Sequence, residues 1–183
     1  VPVIMGGIHP SFMPTESLEH ADAVVVGEAE YVMSEVLSDL ESGNLKGIYK
    51  AGQLHSLENM PLPRYDLLKT SRYLNKNFVQ TSRGCNHACT FCAEHMMNGL
   101  RFRYRPIDDV LREIDSCEGN VISLNDADFF GSPGRAKKVM KALKGRNIRW
   151  QAGVNSKDAF DDELLEMAAG SGCYMLSIGL ESI

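Results

Sequence analysis

From Phe78 to Gly179 the chain repeats one pattern, a short apolar run followed by an amphipathic stretch at helical spacing. The runs are Phe78-Val79-Gln80-Thr81, Val121-Ile122-Ser123-Leu124, Ile148-Arg149-Trp150-Gln151-Ala152-Gly153 and Tyr174-Met175-Leu176-Ser177-Ile178-Gly179. Between them three sets of apolar residues fall three or four positions apart. These are Ile107, Val110, Leu111 and Ile114, then Ala136, Val139, Met140 and Leu143, then Leu164, Leu165 and Ala168. That spacing lines one face of a helix. Pro106, Ser132-Pro133 and Asp161 or Asp162 supply the starts of these helices. Four strands alternating with three helices predict a parallel α/β sheet, of which a parallel barrel is the natural form, with functional loops at the strands' C-terminal ends. Three cysteines, Asp126 with Asp128, Gln151 with Asn155, and Glu181 all fall at such ends. Order along the chain thus predicts one shared mouth.

The first part of the chain repeats the theme on a smaller scale. Val3-Ile4-Met5 reads as a strand, Gly6-Gly7 as a tight turn or a place of close backbone approach, and Ile8-His9-Pro10 as loop. Asp22-Ala23-Val24-Val25-Val26 is a second strand. Gly27 opens a helix whose face is Ala29, Val32, Met33, Val36, Leu37 and Leu40, with Gly43 as its stop. The prolines of Met60-Pro61-Leu62-Pro63 break regular pairing. These breaks divide the chain into residues 1–50, a linker over 51–76, and 77–183. An apolar start without Met and a stop just after another apolar run predict a piece of a longer protein.

The cysteines carry the chemistry. Cys85, Cys89 and Cys92 are spaced by three and then two residues on the loop after the first barrel strand. Five cysteines is an odd count, and this spacing is too tight for all three to pair, which argues against a disulfide framework. Iron–sulfur clusters are held by cysteine thiolates, usually four. Three would leave one iron open, as catalytic metal sites require. Zinc is the rival, since His87 or His95 would complete a Cys3His set, but no second ligand pair is present. Cys117 and Cys173 lack a partner motif and read as small buried side chains. Arg101-Phe102-Arg103-Tyr104-Arg105 reads either as a clamp for a carboxylate or phosphate or as a solvated rim over packed aromatic stems. A net charge of −5 on 183 residues gives no drive toward nucleic acid. The sequence contains no apolar run long enough to span a membrane and no signal-peptide pattern, and clustered cysteines then point to a reducing cytoplasm.

The CxxxCxxC pattern with Phe91 before its last cysteine resembles the radical S-adenosylmethionine enzymes. Residues 1–50 resemble the C-terminal part of a Rossmann-like cobalamin-binding domain. The matching residues are Gly6-Gly7 and the run from Asp22 to Glu30. The histidine-bearing and serine motifs of that domain, which lie further upstream in the family, are absent. The resemblance therefore implies the end of a cobalamin domain followed by about four of the six strands of a partial (β/α) barrel. It implies a 4Fe-4S cluster on Cys85, Cys89 and Cys92, with the open iron chelating S-adenosylmethionine and one electron cleaving it to a 5′-deoxyadenosyl radical. It places Phe91 near the adenine, Asp126, Asp128, Asn155 and Glu181 around S-adenosylmethionine, and Gly6 and Gly7 beside cobalamin. Many relatives carry Asp-Asp where this chain has Asp126-Ala127, and an Arg where it has Asn155. The implied reaction is methylation of an unactivated carbon. Its substrate would be a small molecule of lipid, tetrapyrrole or natural-product type, and flavodoxin or ferredoxin would donate electrons. The alternatives are a radical cyclisation or rearrangement without methyl transfer, and a zinc-binding module without catalysis.

Overall fold

The computed structural model describes residues 1–69, 72–73 and 75–180, which fall into two compact units. One unit is Val1–His55 with Cys89–Gly99, and the other is Ser56–Ala88 with Leu100–Ile183.

In the first unit three parallel strands, β1 (Ile4–Met5), β2 (Ala23–Val26) and β3 (Ile48–Lys50), lie in the order β1-β2-β3. Val24 and Val25 of β2 are fully buried, as a strand flanked on both sides should be. The predicted loop after Gly6-Gly7 is instead a short helix, α1 (Ile8–Phe12). Gly7 begins it at φ 99°, a conformation open to glycine at no steric cost. After α2 (Pro14–Ser17) and β2, the helix expected from Gly27 starts later. A three-ten turn spans Ala29–Tyr31, and α3 runs over Met33–Ser42 before Gly43 ends it at φ 73°. Val32 and Val36 are buried, whereas Leu37 is 48% exposed, because it lies about 100° around the helix from Val36. A further short helix, α4 (Glu94–Asn98), follows the cysteines.

The second unit is built on a four-stranded parallel sheet. Its strands are β4 (Phe78–Val79), β7 (Val121–Leu124), β8 (Arg149–Asn155) and β9 (Cys173–Gly179), hydrogen-bonded in that order. Helices α5 (Ile107–Ser116), α6 (Pro133–Leu143) and α7 (Asp162–Gly170) connect them, so all four strands and three helices of the predicted alternation are present. The side chain of Asp161 caps α7 by accepting from Leu164 N–H at 2.9 Å. One face of the sheet packs on the helices through Val79, Ile122, Leu124, Trp150, Ala152 and Val154, met by Val110, Val139, Leu143 and Leu164. Each of these large side chains contributes about 1.5–3 kcal/mol on burial. Trp150 is wholly buried, and its indole N–H donates to Ser171. On β8 the alternate residues Gln151, Gly153 and Asn155 are only half-buried and face away from that core.

A small antiparallel pair, β5 (Ser82–Arg83) with β6 (Arg103–Tyr104), closes the ends of the cysteine loop against each other. Sequence reading did not anticipate it. The strict alternation from Arg101 to Arg105 is its signal. Phe102 and Tyr104 stack at 6.1 Å, while Arg103 and Arg105 are buried. The solvated rim is thereby corrected for these two arginines. Arg105 forms a buried ion pair with Glu113 and donates to Gln80 O at 2.9 Å.

Candidate functional site

Chain order fixes where the candidate groups emerge. β4 ends at Val79, and the next three residues are held by side chains from elsewhere in the second unit. The Arg105 guanidinium donates to Gln80 O at 2.9 Å, and the Arg105 backbone N–H donates to Thr81 O at 3.0 Å. Thr81 and Ser82 each direct both a backbone N–H and a hydroxyl at one carboxylate, that of Asp126 just past β7. The Thr81 bonds are 2.6 Å to Oδ1 and 2.6 Å to Oδ2, and the Ser82 bonds are 3.1 Å and 2.8 Å to the same two oxygens. Burial pushes the Asp126 carboxyl above its ordinary range, against the pull of these four bonds.

Asp128, two residues on, serves a different neighbourhood. It is 4% exposed. Its Oδ1 accepts from Gly131 N–H at 3.1 Å and from Asn155 N–H at 3.2 Å, and its Oδ2 accepts from Asn155 Nδ2 at 2.6 Å. Asn155, at the end of β8, also donates to Asp158 Oδ2 at 2.6 Å and accepts from Asp158 N–H at 2.9 Å. The ends of β7 and β8 are thus knitted into one polar platform. His87 Nε2 lies 3.7 Å from Asp128 Oδ2. Donor atoms of Cys85, His87 and Asp128 all fall within 4.8 Å of one another. Gly131 is required here because a Cβ would sit 2.5 Å from Asp128 Oδ2 and 2.7 Å from the Phe102 ring.

All five cysteines are free thiols. Cys85 is half-buried, and its Sγ accepts from His87 N–H at 3.5 Å. In the first unit, Cys89 is exposed and Cys92 half-buried; Cys92 Sγ accepts from Glu94 N–H at 3.5 Å. The thiolate is the form of cysteine that ligates metal. Phe91, between them, is 69% exposed. A set of three thiols, two of them already receiving N–H donors, fits an iron–sulfur cluster. The mixed Cys85–His87–Asp128 group suits zinc less well, because the Asp128 oxygens already accept three protein hydrogen bonds. Away from the loop, burial pushes the Cys117 thiol up to about 11 and that of Cys173 upward, the behaviour of inert structural thiols.

Of the remaining expected residues, Gly6 and Gly7 are exposed at the end of β1, and nothing lies within 4 Å of where a Gly7 Cβ would be. Gln151 accepts from Tyr174 OH at 2.6 Å and donates to Ser123 at 3.2 Å, so its amide is used within the sheet. Glu181 lies outside the described residues. The sequence reading passed over Thr81, Ser82, Gly131 and Asp158. Of these, Asp158 and Gly131 have local partners, their N–H groups donating to the side chains of Asn155 and Asp128, each three residues back.

The family model described as the radical SAM superfamily matches residues 79–183. The chain belongs to the radical SAM superfamily. Across 99% of its length it is 29% identical to the bacteriochlorophyllide d C-12(1)-methyltransferase of Chlorobaculum tepidum, covering 42% of that protein. It is also 29% identical over 98% of its length to an uncharacterized methyltransferase of Pyrococcus horikoshii, covering 45% of it. The chain therefore spans less than half the length of these relatives. Among solved structures it resembles the radical S-adenosylmethionine methyltransferase TsrM from Kitasatospora setae, solved with cobalamin and a [4Fe-4S] cluster bound. The TM-score is 0.79 at 20% identity, over all of this chain and 43% of that one. This likeness establishes the α/β fold, with its parallel sheets and partial barrel. No helix among the described residues is long and apolar enough to cross a membrane.

Proposed function

We propose that this radical SAM chain is part of a cobalamin-dependent methyltransferase acting on an unactivated carbon of a small molecule. The observation that carries the reading is the CxxxCxxC thiol set, placed immediately after the first strand of a parallel sheet whose next two strands end in a carboxylate–amide platform. Cys85, Cys89 and Cys92 would hold a 4Fe-4S cluster. Asp128, Asn155, Phe91 and Glu181 would line the place of S-adenosylmethionine, and Gly6 and Gly7 would offer bare backbone to cobalamin. When bound, the cluster with S-adenosylmethionine supplies a carbon-centred radical, and cobalamin supplies a methyl group.

The protein's own part is to hold and orient. Backbone N–H groups of His87 and Glu94 donate to Cys85 Sγ and Cys92 Sγ and orient these two sulfurs. Asn155 fixes both carboxylates of the platform, so that a cationic group meets negative charge without reorganisation. Likeness over nearly all of this chain to two methyltransferases supports methyl transfer, and the bacteriochlorophyllide named for one of them supports a small molecule of tetrapyrrole type as the substrate class. A reducing cytoplasm with a flavodoxin or ferredoxin as electron donor suits thiols that must stay reduced.

Anaerobic reconstitution tests the reading. Brown protein with roughly four irons per chain is expected, together with an electron paramagnetic resonance signal that changes on adding S-adenosylmethionine. With candidate substrate, a product heavier by one methyl group should accompany 5′-deoxyadenosine. Colourless protein retaining zinc would sink the enzyme reading. Turnover that yields 5′-deoxyadenosine and a rearranged, unmethylated product would sink methyl transfer alone.

A further inference from the structure

We propose that Asp126 is a positioning residue that sets the root of the cysteine loop, and that it does not contact S-adenosylmethionine. The inference rests on the cluster reading above. A carboxylate offers about four lone-pair sites. All four of Asp126 are taken by Thr81 N–H, Thr81 Oγ1, Ser82 N–H and Ser82 Oγ, at 2.6–3.1 Å. No acceptor capacity remains for the ammonium of a cofactor. The donors are themselves immobilised, because Thr81 is 0% and Ser82 3% exposed. The bonds span 44 and 45 residues of sequence, joining the end of β7 to the junction of β4 and β5. That junction leads directly into Cys85, three residues beyond Ser82. Arg105 N–H and Arg135 Nη2 both donate to Thr81 O, so the same residue is gripped from a second side. One carboxylate therefore fixes the direction in which the chain leaves the sheet toward its first thiol. Asp128 differs, since its third bond leaves an acceptor site on Oδ2, on the side where His87 approaches.

The test uses the reconstituted full chain with Asp126→Asn and with the paired change Thr81→Val and Ser82→Ala, which leaves Asp126 intact but removes both hydroxyl donors. Three quantities are read: the rate of iron loss to a chelator, the g-values of the reduced cluster, and the affinity for S-adenosylmethionine of the cluster-loaded fraction. Partners bonded directly to metal ligands change metal retention by about 10–100-fold. Asp126 acts one step further out, through Thr81 and Ser82, so both variants should lose iron several-fold and up to about tenfold faster. Both should shift the g-values, while the affinity of the loaded fraction stays at the wild-type value. The inference is overturned if Asp126→Asn retains iron and g-values like wild type. It is equally overturned if Asp126→Asn weakens S-adenosylmethionine binding tenfold while the hydroxyl variant does not. Should Asp126→Asn fail to fold, Ser82→Ala alone, one hydroxyl smaller, reads the same three quantities. A wild-type chain that takes up no cluster would instead refute the reading on which the inference rests.

Discussion

The root of the cysteine loop and the stretch that carries its later cysteines are built on opposite principles. At the root, Gln80, Thr81 and Ser82 are tied by Asp126, Arg105 and Arg135. Along Cys89-Thr90-Phe91 the side chains are exposed. Stability is thus concentrated where no candidate ligand atom lies, and the proposed ligand atoms lie where stability gains little from them. The contrast shows how a domain keeps a reactive loop without staking its fold on it. Substitutions should divide the same way, with chemistry lost from one region and stability from the other.

The largest effect is expected on the chemical side. Cys85→Ala, Cys89→Ala and Cys92→Ala should each lower the iron bound after anaerobic reconstitution to near zero. The metal-free variants should melt within about 0.5–1 kcal/mol of the parent, since exposed or half-buried positions contribute little. Iron analysis beside a thermal melt checks both halves. A cysteine variant that keeps a full cluster would remove that residue from the ligand set. One that unfolds would erase the contrast.

At the root the balance reverses. Glu113 is 3% and Arg105 6% exposed, and they form a buried ion pair; Tyr65 OH reaches Glu113 Oε1 at 2.8 Å. Burial and this contact push the Tyr65 phenol well above its ordinary range. Glu113→Gln removes the negative partner and leaves the guanidinium buried, which costs about 3–5 kcal/mol. The melting temperature should fall by about 10 °C for a chain of this size. Gly131→Ala comes next. Its methyl would meet Asp128 Oδ2 and the Phe102 ring well inside contact distance, an overpacking worth about 1–3 kcal/mol. Urea denaturation at constant slope measures it. A neutral Gly131→Ala would mean that the platform beneath the loop yields more readily than its hydrogen bonds suggest.

This division also explains what was legible in the sequence. Apolar periodicity is written by the core, so the buried faces of α5, α6 and β8 could be read directly from Val110, Val139 and Trp150. The thiol spacing was equally plain, because a proposed metal-ligand set is read from residue type and separation along one short stretch. The root was hidden. Nothing local to Thr81-Ser82 announces a carboxylate 44 residues away, and the pairing of β5 with β6 joins segments too short to leave a pattern apart from Arg101 to Arg105. Asp126 and Asp128 look alike in sequence, yet one faces back to β4 and the other forward to Asn155. That distinction belongs to tertiary packing and has no one-dimensional trace. The displaced start of α3 and the helix after Gly7 were lost for a smaller reason, since the first turns of short elements are set by local backbone geometry rather than by periodicity.

Phe91 supplies the smallest expected effect and the sharpest probe of the exposed stretch. With 69% of its surface in solvent, the ring gains little from the fold, so Phe91→Ala should leave the melt within about 0.5 kcal/mol of the parent. If the ring packs on the adenine, its loss should weaken S-adenosylmethionine binding by about 1 kcal/mol, roughly fivefold, with iron content unchanged. Phe91→Tyr retains the aromatic face and should restore affinity, whereas Phe91→Leu retains only apolar area and should restore it in part. An intact affinity in Phe91→Ala would free this residue from cofactor binding. A melt lowered by more than about 1 kcal/mol would show that the exposed stretch is packed after all, and the division between a stabilising root and a chemical loop would have to be redrawn.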